Sequence, residues 1–175
     1  MRFLLTVLLA LSLSACKEDT GSASIPAPAS LNAEAAGYYC QMIILEHDGP
    51  KGQIFLAGLP APLWFSQVRD ALAYVLSPEQ EGEILVLYVN DMGKAASWGE
   101  PGEDNWIVAQ DAYYVGGSDA KGGMGAPEIV PFGTAAQAAE FAAARGGEVL
   151  RMDDITAGIV LAPVDFDPAS PETNE

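Results

Sequence analysis

Trp64-Phe65-Ser66-Gln67-Val68-Arg69-Asp70-Ala71-Leu72-Ala73-Tyr74-Val75-Leu76-Ser77-Pro78, followed closely by Ile84-Leu85-Val86-Leu87-Tyr88-Val89, decides the fold class. In the first part Trp64, Phe65, Val68, Ala71, Leu72, Val75 and Leu76 recur at helical spacing, which lays one apolar stripe along a helix. The spacing predicts an amphipathic helix after Pro62. It ends at Ser77-Pro78, because the residue before a proline is driven out of the helical region. The second part is a short unbroken apolar run with Val and Tyr, typical of a buried strand. Upstream, Gln53 to Leu56 predicts a short strand, and His47-Asp48-Gly49-Pro50-Lys51-Gly52 is dense in turn formers that reverse the chain. Tyr38 to Leu45, aromatic and β-branched, predicts a further strand before that turn. The order is strand, strand, helix, strand.

The downstream half repeats it. Trp106 to Val115 predicts a strand, and Glu128 to Phe132 a short one after a Gly-rich loop. Thr134 is a suitable N-cap for an Ala-rich helix, Ala135 to Ala144, which stops at Gly146-Gly147. Glu148 to Met152 predicts the last strand. The expected class is α+β, with two small linked ββαβ units at 37–97 and 98–160 and an acidic Gly/Pro loop, Gly99 to Asp104, between the halves.

The ends have a different character. Arg2 precedes an apolar run, Phe3 to Leu13, and Leu13-Ser14-Ala15-Cys16 closes it as a lipoprotein cleavage site whose cysteine becomes diacylated. That run is too short to span a bilayer, which needs about twenty apolar residues. Residues 1–15 are therefore expected to be a signal peptide and 16–36 a flexible linker, because their Ser, Ala, Pro, Thr and Gly cannot bury enough apolar surface to fold. The tail, 161–175, is acidic and Pro-rich and expected to be disordered. The formal charge of −16 opposes binding to nucleic acid or docking on anionic headgroups. Lys17 stands where an Asp retains many Gram-negative lipoproteins at the inner membrane, which favours the outer membrane.

Of the two cysteines, lipidation of Cys16 leaves Cys40 without a disulfide partner in an oxidising compartment. On a strand, Cys40 and Met42 would share a face, so thiol and thioether could converge. Such a pair selects soft, monovalent copper over calcium, magnesium or manganese. The competing interpretation is that both are inert core residues. Met124, in Gly122-Gly123-Met124-Gly125-Ala126-Pro127, is the one reactive side chain of a loop too bare to form a core, which makes it a third ligand candidate. His47, the only histidine, falls at the turn and is a further candidate. Met92 is a weaker one, and Met152 is expected in the core, as are Trp64, Trp98 and Trp106. No catalytic dyad, phosphate loop, zinc cluster or CxxC pair is present.

Taken together, the lipobox, Tyr38-Tyr39-Cys40-Gln41-Met42, His47 to Ile54, Phe65 to Ala71, Asp111-Ala112-Tyr113-Tyr114-Val115-Gly116-Gly117-Ser118, Gly123 to Glu128 and Gly146-Gly147-Glu148-Val149-Leu150 resemble the NosL family. The resemblance runs in order from Gly37 to about Ile155. It implies two linked ββαβ units, a lipid anchor and one bound copper(I), carried by Cys40, Met42 and Met124. Some relatives place a histidine where this chain has Phe55 or Ala126, so His47 is the one imidazole available here. The implied function is a periplasmic copper(I) metallochaperone, not an enzyme, that delivers copper to nitrous oxide reductase together with its copper-maturation proteins. Two alternatives compete with it: a thiol-dependent, organomercurial-lyase-like enzyme using Cys40, and a structural lipoprotein with no metal.

Overall fold

The computed structural model describes residues 25–164. The expected signal peptide, Cys16 and the rest of residues 1–24, and residues 165–175, lie outside the described residues. Among the described residues no helix is long and apolar enough to cross a membrane.

The first sheet is built from β1 (Gly52–Leu56), β2 (Leu63–Phe65), β3 (Ile84–Asn90) and β4 (Trp106–Val108), in the antiparallel order β2-β1-β3-β4. Alternation on β1 and β3 divides its faces. Ile54, Leu56, Leu87 and Val89 point into the main core under helix α1 (Val68–Leu76), while Phe55, Val86 and Tyr88 form a second layer on the outer face. Gly52 lets α1 approach closely, since a Cβ there would lie 2.7 Å from that of Ala71. The second sheet has the order β6-β5-β7, from β5 (Tyr113–Gly116), β6 (Val130–Phe132) and β7 (Glu148–Leu150), all antiparallel. Helix α2 (Ala135–Arg145) lies between β6 and β7 in sequence and buries Ala138 beside Val115, Val130 and Phe132. The second sheet thus runs strand, strand, helix, strand, and the first does the same with β4 added at its edge, within the α+β class expected. The main core is shared between the sheets: Ala109, Ala112, Tyr114 and Ile129 pack with Ile54, Phe65 and Leu72, and Val160 of the short helix α3 (Ala157–Val160) closes it.

Several boundaries differ from expectation. Tyr38 to Leu45 is not a strand. Ala36 and Ile43 make one antiparallel bridge, the chain between them is a turn, and Ile44–Glu46 is a 3-10 turn. Trp64 and Phe65 belong to β2 rather than to the helix, so the first two strands of this unit are β1 and β2. Trp106 to Val115 breaks at the 3-10 turn Ala109–Asp111 and contributes to both sheets. The corner is fixed where the Tyr114 hydroxyl donates to the Ala109 carbonyl at 2.8 Å. β6 begins at Val130, and Met152 lies in a 3-10 turn beyond β7.

Most of the expected linker after residue 25 is structural. Ala29 exchanges two hydrogen bonds with the Gln53 side-chain amide (2.8 and 3.0 Å), the Tyr88 hydroxyl donates to the Pro26 carbonyl (2.7 Å), and Leu31 and Ala35 are buried. This segment covers the outer face of the first sheet. Ser/Ala/Pro composition misleads here because the sheet, not the segment, supplies the polar partner. Residues 161–164 are also described rather than part of an unstructured tail. The buried Arg69 guanidinium donates to the carbonyls of Val160 (2.8 Å), Pro127 (3.4 Å) and Ala162. Arg69→Ala would leave those carbonyls without donors and is expected to destabilise the protein by about 2–4 kcal/mol, read as a lower urea midpoint.

Candidate metal centre

Cys40 sits near the tip of a closed turn. Gly37 N–H donates to the Met42 carbonyl and Gln41 N–H to the Gly37 carbonyl, both at 2.8 Å. Gln41 adopts φ 58°, the left-handed region that a residue with a Cβ enters at a cost of about 1–2 kcal/mol. Its side-chain amide offsets this by donating to the Tyr38 carbonyl at 2.8 Å. The turn is anchored from below. Tyr38 and Tyr39 pack on Phe65, with centroids 5.8 and 5.4 Å away, and the Tyr38 hydroxyl donates to Glu81 at 2.6 Å. That bond pushes the Tyr38 phenol up to about 12. The half-buried Cys40 sulfur is left beside Ser66 Oγ, 3.9 Å away. Because position 41 is left-handed, strand alternation does not relate Cys40 to Met42. What relates them is membership of one turn, with Met42 40% exposed.

A second element brings His47. Lys51 is 1% exposed, and its ammonium donates to the carbonyls of His47 (2.5 Å), Asp48 (2.9 Å), Gly49 (2.8 Å) and Ser66 (3.4 Å). One buried cation thereby ties the His47 turn to the β2–α1 junction. Burial pulls the ammonium down to about 8, against smaller opposing effects of Glu128 and Asp48. His47 Nε2 is buried and makes no hydrogen bond among the described residues.

The Met124 loop closes on the same junction. Met124 N–H donates to Gln67 Oε1 at 3.2 Å, and Met124 is 37% exposed. Two glycines fit the loop to its neighbours. A Cβ at Gly123 would clash with the His47 side chain, and one at Gly122 would lie 2.5 Å from both Gln67 Oε1 and Glu128 Oε2. Glu128 is 1% exposed, and its Oε1 accepts from the N–H groups of Arg69 and Ile129, each at 2.9 Å. Burial pushes its carboxyl up to about 8 in spite of those bonds. Thus the Cys40 turn touches Ser66, the Met124 loop touches Gln67, and the His47 turn touches both the junction and the loop. Met92 packs instead with the second sheet and Met152 with the main core. Trp64 pairs with Trp106 (5.8 Å) and Trp98 stacks on Phe141 (6.5 Å), as expected of core aromatics.

Residues 28–160 match the family model described as NosL. The chain belongs to the NosL family. A protein of Achromobacter cycloclastes named copper-binding lipoprotein NosL is 55% identical over 166 residues, 94% of this chain and 85% of that protein. One of the same name from Stutzerimonas stutzeri is 35% identical over 153 residues, 87% of this chain and 78% of that protein. The crystal structure of the copper chaperone NosL from Shewanella denitrificans matches with a TM-score of 0.70 at 31% identity, over 75% of this chain and 97% of that one.

The donor set of this NosL chain is distinctive in kind. Among the described residues no three His, Cys, Asp or Glu side chains gather into a cluster, so neither a zinc cage nor a carboxylate cage is built. The candidate donors around the β2–α1 junction are instead the Cys40 thiol beside Ser66, the thioether of the loop whose backbone meets Gln67, and the His47 imidazole, whose buried Nε2 makes no hydrogen bond among the described residues. That chemistry suits a soft ion. The sequence reading missed Ser66, Gln67, Lys51 and Glu128. The one signal was a Gln directly before the helix, a position better filled by Ser, Thr, Asp or Asn; the side chain is engaged elsewhere.

Proposed function

We propose that this NosL lipoprotein is a copper(I) chaperone. Anchored through Cys16, it faces the periplasm from the outer rather than the inner membrane and delivers copper for maturation of nitrous oxide reductase, with that enzyme's copper-maturation proteins. Copper(I) is cargo here, not a resident cofactor. Cys40 thiolate serves as the anionic anchor and Met42 and Met124 as neutral thioethers, with His47 Nε2 as a further donor. The observation that supports this most is that the Cys40 sulfur lies beside Ser66 while the Met124 backbone N–H is held by the adjacent Gln67, so that sulfur-bearing segments from both halves of the chain meet neighbouring residues. Exposed, weakly donating thioethers leave room for a partner's ligand to enter and take the ion stepwise. A thiol-dependent enzyme would need a base at Cys40, and the polar group beside its sulfur is the Ser66 hydroxyl. An inert core cysteine would be fully buried, and Cys40 is not. The names of the relatives point to copper binding and delivery as well.

The reading is tested by transfer. The copper(I)-loaded protein, incubated anaerobically with copper-free nitrous oxide reductase and its maturation proteins, is expected to restore nitrous oxide reduction while Cys40→Ser does not. Equal restoration by chelator-buffered copper(I) without the chaperone would contradict it.

A further inference from the structure

We propose that Gln67 is a positioning residue for copper binding: its side-chain amide holds the Met124 loop beside the Cys40 turn. The inference rests on the reading of Met124 as a copper ligand. Gln67 is 3% exposed and lies at the junction between β2 and α1, directly after the Ser66 that touches the Cys40 sulfur. Its two polar atoms face different groups. Nε2 donates to Asp70 Oδ2 at 2.9 Å, and Oε1 accepts from Met124 N–H at 3.2 Å. Only this orientation serves both partners, because the flipped amide would set an oxygen against a carboxylate and an NH2 against an N–H. Asp70 therefore fixes which end of the amide Met124 meets.

That contact is the outside hydrogen bond made at Met124 itself. Among the described residues the neighbouring backbone bonds are internal, from Gly122 N–H to the Ala126 carbonyl (2.9 Å) and from Gly125 N–H to the Gly122 carbonyl (2.8 Å), while Arg69 holds the far end of the loop at the Pro127 carbonyl (3.4 Å). Gly122 lets the loop close over the amide, since a Cβ there would lie 2.5 Å from Gln67 Oε1 and 2.8 Å from Gln67 Cγ. The neighbours Ser66 and Gln67 thus hold one sulfur-bearing segment each. Without Gln67 the thioether must be ordered at the moment copper binds, and the ion is held less well. Groups that orient ligands without touching the metal are worth roughly 10–100-fold in affinity.

The test is a double-mutant cycle on Gln67→Leu and Met124→Leu, read by anaerobic competition for copper(I) against a coloured chelator, with the Met124 amide exchange rate of the copper-free protein as second readout. Gln67→Leu is expected to weaken copper binding by about tenfold or more and to speed Met124 amide exchange. It should add nothing in the Met124→Leu background. Gln67→Glu combined with Asp70→Asn keeps an acceptor for Met124 N–H and a donor at position 70, and is expected to restore affinity. If Met124→Leu weakens binding and Gln67→Leu does not, or if the two effects add, the positioning role is wrong. If Met124→Leu itself binds as wild type does, the copper-site reading fails first. If the paired substitution stays as weak as Gln67→Leu while folded, orientation of the amide is not what matters and the proposal falls.

Discussion

Replacing Cys40 by Ser lowers copper(I) affinity by more than about 100-fold, beyond what loss of an outer-shell partner costs, while leaving the fold intact. A thiolate is the one anionic soft donor at this site, whereas a hydroxyl stays protonated and binds copper(I) poorly. Stability changes little because the turn does not rest on the sulfur. It is held by the Gly37–Met42 hydrogen bond, by the packing of Tyr38 and Tyr39 on Phe65, and by the Tyr38–Glu81 bond. The affinity is read by chelator competition and the stability by urea unfolding of the copper-free protein. Unchanged affinity would remove Cys40 from the site, and a large loss of stability would show that the sulfur is a core group after all.

Glu128→Gln makes the protein more stable at pH 8 and nearly unchanged at pH 5. Burial raises the Glu128 carboxyl from its ordinary 4.5 to about 8 in the folded state. The folded protein therefore binds the extra proton between those two values, and stability must fall as pH rises through that window. Its contribution is fully present below pH 4.5 and gone above about 8, a difference on the order of 5 kcal/mol. Lys51 behaves in the opposite sense over a higher range. Its ammonium is pulled down from 10.5 to about 8, so the unfolded chain holds more protons between those values and stability rises again with pH. The two slopes meet near pH 8, where these two groups together contribute least to stability. Gln has the shape of the protonated carboxyl and keeps an acceptor for the Arg69 and Ile129 N–H groups. Urea midpoints at pH 5, 6, 7 and 8 check this: a falling series for wild type and a flatter one for Glu128→Gln are expected, and parallel series would contradict it.

What the sequence made legible follows from local patterning. The stripe from Val68 to Leu76 and the run from Ile84 to Val89 each bury a face that their own spacing marks out. Thr134 caps α2 as its type suggests, accepting from Gln137 N–H at 3.3 Å. Gly146, at φ 75°, ends that helix in the left-handed region where glycine is favoured. The failures share a different cause, because the deciding partner is remote. Nothing near Gln41 signals a left-handed residue, so the aromatic and β-branched neighbours of Cys40 read as strand. Nothing near Ala29 announces that Gln53 will hold it. In the Trp106–Val115 stretch the strand formers at both ends outweigh Ala109-Gln110-Asp111-Ala112 in the middle, where the corner falls and where the Tyr114 hydroxyl reaches back to Ala109.

The candidate site divides the same way. The sulfur residues stood out by type and by setting, as did the bare loop around Met124. The framework around them did not, because Lys51, Gln67 and Glu128 are charged or polar side chains that ordinarily face water. Their burial is settled by carbonyls and N–H groups from the His47 turn, the β2–α1 junction and the segment before β6.

Joint binding of one copper(I) by the Cys40 turn and the Met124 loop is open to copper K-edge X-ray absorption of the one-to-one copper(I) complex, with wild type beside Met124→Leu and Cys40→Ser. The expected shell is sulfur-dominated, with one short thiolate distance and longer thioether distances. One long sulfur should be lost in Met124→Leu, and the short one in Cys40→Ser. A shell of nitrogen and oxygen alone, or a sulfur count that Met124→Leu leaves unchanged, would contradict it.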